Sequence, residues 1–347
     1  MSAAVVIANR SRSSPTLGEI VDSIIGTNMV HAGAPANSPL DLLQEAARVA
    51  KLAFVHSNEA ALIEVHDALR RLYDIQLSPA HSAEAAHQFN PMLMALRAEI
   101  EQLWIAHELR DISPPSPRHG EVANVIRKSW ADHPSFNHEI FDFMEHHASR
   151  EQILLYFRCD YALNMRFYDL IALACVAVGE EAKTEVVANL WDEVGCGNPA
   201  KSHVRLYQAV LDYIGSTESR SDHLALLGWE GLAGYNLLMH FALARRQQYR
   251  YIGALAITEL ADPDQYGKLL RGCLRTGIGA NKPGVLDYYE DHVTIDALHG
   301  DGWIENVIEP AIRLRPTFAA EVMEGAIARM NSTKRYWDWL LKQMKSM

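Results

Sequence analysis

The sequence has no run long and apolar enough to cross a membrane. Its most apolar stretch, Phe167 to Val178, is short and carries Asp169. The opening Ala-Ala-Val-Val-Ile-Ala is too short for a signal-peptide core and has no positive charge before it, so a cytoplasmic location is expected. The four cysteines, Cys159, Cys175, Cys196 and Cys273, form no CxxC pair. That spacing argues against a disulfide framework and thiolate zinc sites, and it fits a reducing compartment. With a formal net charge of -11 and scattered basic residues, the chain lacks the clustered basic face that phosphate binding needs, and nucleic acid is not an expected partner. P-loop, Rossmann, G-x-S-x-G and His-Glu-x-x-His signatures are missing. Nothing repeats at a fixed period, and strand alternation is nearly absent.

What remains is helical periodicity, so an all-α protein is expected. Residues 1–38, rich in Ser, Asn, Ala, Gly and Pro, read as a mobile arm with little structure of its own. A helical region is expected over 39–115. It closes in Asp111-Ile-Ser-Pro-Pro-Ser-Pro-Arg-His-Gly, through which no helix can continue. The third segment, 116–347, contains candidate helices over Glu151–Val178, Glu181–Glu193, Lys201–Ile214, Tyr249–Leu260, Pro263–Thr276, Leu286–His299 and Ile304–Ile312. Gly179, Gly195, Gly197, Gly215 and Gly300 fall where helix stops belong.

Sixteen histidines are present, and only spacing can single out the useful ones. The sharpest pattern is His292-Val-Thr-Ile-Asp296-Ala-Leu-His299, where intervals of four and seven place three side chains on one stripe of a helix. Two imidazoles and a carboxylate suit a non-haem iron site; a solvated stripe is the alternative. A second pattern is Trp191-Asp-Glu193-Val-Gly-Cys-Gly-Asn-Pro-Ala-Lys-Ser-His203, in which Glu193 and His203 flank a tight turn. Its glycines allow left-handed backbone, and Asn198-Pro199 is a natural helix start. Glu259 is the third candidate, because a carboxylate at the end of an apolar run is expensive to bury unless something compensates it. A helix-end glutamate facing water is the alternative there. Together these residues form a mixed nitrogen and oxygen set, suited to iron or manganese rather than structural zinc. A ferritin-like site would need Glu-x-x-His on two helices; that spacing occurs once, at Glu84 and His87.

The order Glu193…His203, Glu259, His292-x3-Asp296-x2-His299 resembles the haem-oxygenase-like diiron oxidases and oxygenases, over roughly residues 135 to 320. The stretch DEVGCGNPAKSHVRLYQAVLDYIG is similar to that family's Glu-x-Gly…His segment. The resemblance implies a helical bundle that binds two Fe(II) ions and no haem, with dioxygen as co-substrate. It is greatest to the N-oxygenating branch, typified by the central domain of the enzyme that builds the N-nitrosourea of streptozotocin. That branch implies a helical dimerisation region, which would suit residues 41 to 110, and hence a homodimer. The cupin of that enzyme has no counterpart here, so its chemistry is not expected. The branch also has a further carboxylate on its first core helix. Asp160 is the candidate for it and Asp169 the second, although Asp is shorter than Glu and a helix-surface aspartate is the alternative reading.

Tyr235 and Tyr289 are candidates to line a substrate pocket, and Arg313 to hold a substrate carboxylate. His240, among Leu237, Leu238, Met239 and Phe241, reads as a satisfied core histidine. The expected activity is N-oxygenation of a small amino-acid-like amine in a natural-product pathway, with an external electron donor. Two alternatives stay open. One is a diiron oxidase that cleaves or desaturates an amino or fatty acid. The other is a thiaminase-like, metal-free hydrolase using Cys159 or Cys196.

Overall fold

The computed structural model describes residues 15–26, 38–176 and 178–347, apart from the side chains of residues 262 and 295–297. The described residues are helices, turns and connecting segments, with no strand among them. The chain divides into two compact units, Met1–Asp111 and Ile112–Met347.

The first unit contains α1 (Leu17–Gly26), α2 (Pro39–Phe54), α3 (Glu59–Asp74) and α4 (Pro91–Leu109). Local chemistry starts each of the last three. Ser38 and Asp41 form a capping box, Asn58 accepts from the Ala61 amide, and Asn90 caps a helix whose first residue is proline. Helix α1 departs from expectation, since it lies in the stretch read as an arm with little structure. Leu17, Ile20, Val21 and Ile24 recur at helical intervals and are buried as α1 packs on α3. Residues 1–14 and 27–37 of that stretch lie outside the described residues.

The second unit begins with α5 (Val122–Asp132), α6 (Glu139–His146), α7 (Arg150–Cys159), α8 (Tyr161–Asn164) and α9 (Phe167–Ala174). It continues through α10 (Glu180–Glu193), α11 (His203–Tyr213), α12 (Arg220–Ala225), α13 (Gly228–Leu243) and α14 (Gln248–Thr276). Helix α15 (Asp287–Gly302) runs into a π-helical turn at Trp303–Ile308, followed by α16 (Glu309–Leu314) and α17 (Ala319–Lys345). Two expected boundaries differ. The single helix read over Glu151–Val178 is three short ones, turning at Asp160 and Arg166, where the Asp160 carboxylate accepts from the Asn164 amide. Conversely, Pro263 does not end a helix but sits inside the 29-residue α14. Proline removes one amide donor, and packing by neighbours on several sides carries the helix across that loss.

Helix α14 is the axis of the unit. Residues 251–259 are buried in succession, as are residues 231–242 of α13, which marks both helices as enclosed on every side. Helices α6, α13, α15 and α17 all pack on α14. The approach to α17 is close enough to require two glycines. A Cβ on Gly253 would strike the Val322 carbonyl, and one on Gly325 would strike the Arg250 carbonyl. Gly325→Ala is therefore expected to cost about 1–3 kcal/mol through overpacking. A lower urea midpoint at unchanged slope would register that cost; an unchanged midpoint would show that the two helices can separate freely.

Candidate metal centre

Three helices converge on one polar region inside this apolar frame. Glu193 is the last residue of α10 and His203 the first of α11, and the turn between them folds back on itself. Gly195 makes that fold possible: its φ is +81°, and a Cβ there would collide with the Asn198 carbonyl and the Ser202 amide. Asn198 then caps the short helical turn at Pro199 by accepting from the Ala200 amide at 3.1 Å. As a result His203 Nδ1 lies 3.0 Å from Glu193 Oε2. His292 on α15 completes the group, its ring 4.3 Å from that of His203. One ligand atom from each of Glu193, His203 and His292 lies within 4.8 Å of the others, and all three residues are buried.

A second pair adjoins the first. Glu259, on α14, is 1% exposed, and its Oε2 lies 3.5 Å from Nδ1 of His299 on α15. Asn189 donates to Glu259 Oε1 at 3.1 Å. Burial raises the Glu259 pKa above the ordinary carboxylate value; His299 and Asn189 oppose that rise and the charge of Glu193 adds to it. The two carboxylates are thus close enough to sense each other. Neither is paired with Lys or Arg among the described residues.

His292 and His299 are 3% and 5% exposed, which excludes the solvated-stripe reading, and Glu259 is not a helix end facing water. Helix α15 runs on through Asp296, but the Asp296 side chain lies outside the described residues. Asp160 is not drawn into the Glu193–His203–His292 group. It accepts from Asn164 at 2.9 Å and from the Tyr289 hydroxyl at 3.2 Å, and it lines a cavity. Asp169 pairs with Arg166 at 3.1 Å. Tyr235 lines the same cavity, while Tyr289 is fully buried behind it. Arg313 corrects the expectation of a substrate grip, because it pairs with Glu181 at the surface, both side chains about half exposed. His240 is buried beside Gln247, at 3.3 Å.

A protein-family model described as iron-containing redox enzyme matches residues 154–334, just over half the chain and all six candidate positions. The chain belongs to the iron-containing redox enzyme family. A search of curated proteins finds no match. The helical architecture is the haem-oxygenase-like fold of that family.

The donor set fits the family's iron. It consists of carboxylates and imidazoles, the mixture that suits non-haem iron. Glu193 Oε1 is buried and accepts no hydrogen bond from the described residues, which is costly for a carboxylate oxygen unless a cation meets it. His292 is prepared to ligate. Its Nδ1 donates to the Tyr288 carbonyl at 2.5 Å, which makes Nε2 the unprotonated nitrogen, the one able to coordinate. Burial first, and the neighbouring His203 second, hold its pKa well below the ordinary imidazole value, so the ring is neutral.

Sequence reasoning missed three partners of these residues. Asp192 accepts from His299 Nε2 at 2.9 Å, Asn189 supports Glu259, and the Tyr288 carbonyl orients His292. Asn189 stands four residues before Glu193, so its place on the same helix face could have been read; the other two carry no local signal.

Glu259 also yields a sign. An acid whose folded pKa is raised stabilises the fold below its unfolded pKa, and that contribution is lost as pH rises through the folded value. Metal-free Glu259→Gln should therefore melt above the metal-free parent at pH 7, by roughly 2–4 °C for each kcal/mol of relieved charge burial. The gap should close toward pH 4.5. A variant that melts lower at pH 7 would mean that Glu259 is not a source of stored cost.

Proposed function

We propose that the protein is a non-haem diiron oxygenase that uses dioxygen to oxidise the nitrogen of a small amino-acid-like amine. The observation that carries this reading is a cavity of mixed lining, with several polar groups, beside the buried Glu/His cluster, in a chain of the iron-containing redox enzyme family. The cavity measures about 90 Å³ and is lined by Asp160, Tyr235, Thr258, Tyr266, Arg329 and Tyr336, among others. Tyr266 is its wall toward the cluster, its ring 5.7 Å from that of His292. Thr258 precedes Glu259 and accepts from Arg329 Nε at 3.0 Å.

In this proposal Glu193, His203 and His292 hold one iron, and Glu259 and His299 the other, with Asp296 as a further ligand. Bound there, iron supplies the redox chemistry and the activation of dioxygen. Arg329 holds a substrate carboxylate in the cavity, where a guanidinium gives two parallel hydrogen bonds. Asp160 takes the amine proton. Burial pushes its pKa up to about 6, against the pull of Asn164, Tyr289 and Arg329, so its carboxyl can exchange a proton near neutrality. The tyrosine walls exclude water.

The hydrolase alternative gains nothing from the cysteines. Burial pushes the Cys159 thiol up to about 12, and its Sγ–H donates to the Leu226 carbonyl. Cys196 is exposed, and the adjacent Asp192 carboxylate raises its pKa. Neither thiol is activated as a nucleophile.

Anaerobic titration with ferrous iron, followed by rapid mixing with oxygen, tests the reading. Two irons per chain and a transient visible absorption are expected, and both should be lost in His292→Ala. Absence of binding in the parent would overturn the diiron assignment. Arg329→Met should keep iron stoichiometry but raise KM for a carboxylate-bearing amine roughly 10–100-fold, the scale of a lost charged hydrogen bond. Asp160→Asn should also bind two irons; loss of one would move Asp160 from the cavity to the ligand set.

A further inference from the structure

We propose that Asp192 is a positioning residue for His299: its carboxylate accepts from Nε2 and thereby turns Nδ1, the nitrogen that would ligate, toward Glu259. The inference rests on the metal reading of Glu259 and His299 and adds what orients that pair.

The geometry is a chain of three contacts from the surface inward. The Cys196 thiol donates to Asp192 Oδ1 at 3.0 Å. Asp192 Oδ2 lies 2.9 Å from His299 Nε2. His299 Nδ1 in turn lies 3.5 Å from Glu259 Oε2. An ionised carboxylate can only accept, so the hydrogen between Asp192 and His299 belongs to Nε2. With Nε2 committed to Asp192, Nδ1 is the ring nitrogen that faces Glu259 and is placed to ligate. Cys196 occupies the other carboxylate oxygen and fixes the rotation of the group. Its thiol is placed for this by a left-handed backbone, φ +52°, in the turn that also returns His203 to Glu193.

Solvation distinguishes this contact from an ordinary ion pair. The Asp192 side chain is 33% exposed and His299 only 6%, so the acid stays hydrated while the imidazole is held inside. Consecutive residues of α10 thus serve both halves of the cluster, Glu193 directly and Asp192 through His299. A carboxylate that orients a ligating histidine commonly contributes 10–100-fold to metal affinity.

Co(II) titration of the purified full chain, read by visible absorption, tests this together with long-range 15N–1H spectra of the metal-free protein. Asp192→Ala should weaken, by roughly 10–100-fold, the same binding step that His299→Gln removes, and should leave the step that His203→Ala removes. In the metal-free protein the His299 signal, identified by its loss in His299→Gln, should show an Nε2 proton slow to exchange with water in the parent and a rapidly exchanging one in Asp192→Ala. Asp192→Asn, whose side-chain oxygen can still accept, should fall between. Parental Co(II) affinity in Asp192→Ala would overturn the proposal. So would equal loss of both steps with a lowered melting midpoint, which would make Asp192 a folding residue. If the parent bound no Co(II), the diiron reading would fail by itself, while exchange of the Nε2 proton of metal-free His299 would still decide the role of Asp192.

Discussion

Two carboxylates buried within a helical core are the constraint on which the second unit depends. Glu193 and Glu259 are each about 1% exposed, and an isolated buried carboxylate costs several kcal/mol after all relaxation. Three imidazoles and one amide surround them, and no lysine or arginine pairs with either among the described residues. The core therefore carries an electrostatic debt in its metal-free form, which a bound cation would remove. Folding energy must come from elsewhere, and the enclosed helices α13 and α14 supply it through nearly uninterrupted apolar burial. The glycine contacts between α14 and α17 belong to the same logic, since close helix approach leaves few voids around the polar region.

Helical geometry explains how so few residues build a site with two halves. His292 and His299 are seven residues apart on α15, two turns and about 10 Å of rise. That interval sets one imidazole against the Glu193–His203 turn and the other against Glu259 on the neighbouring α14. The fold need supply only four convergent helices, two of them joined by one tight reversal. Gly195 is the point at which the reversal would fail, because any side chain there meets backbone on two sides.

Much of this was legible in the residues. Helical period gave the class directly. The seven-residue interval from His292 to His299 and the isolation of Glu259 at the end of an apolar run are local patterns with a physical meaning, and the three residues meet in the buried cluster. Boundaries were less legible. Helix α14 crosses Pro263 because tertiary packing outweighs one missing amide, and no local rule foretells that. Helix α1 was hidden by the small and polar residues around it, although Leu17, Ile20, Val21 and Ile24 carry the period. Partners across the fold were least legible. Nothing in the run Trp191-Asp192-Glu193 says which acid faces the core and which bonds His299. Arg329 is one of several cations on a long amphipathic helix, and its cavity exists only once α13, α14 and α17 are packed.

The two halves of the cluster differ in what orients them, and the difference has a physical consequence. His292 is held by a backbone carbonyl one turn back on its own helix, a partner that cannot move without unwinding α15. His299 is held by Asp192, a side chain one-third exposed at the end of α10 and itself steadied by an exposed thiol. Solvent, ions and chemical change at Cys196 reach the second arrangement and not the first. Restraint by backbone is stiff, and restraint by a hydrated side chain is soft. The Glu259–His299 half is therefore the more yielding of the two, while the Glu193–His203–His292 half is anchored in the core. A site with one rigid and one adaptable position suits redox chemistry in which carboxylates change their mode of binding, because the stiff half preserves geometry while the soft half accommodates the change.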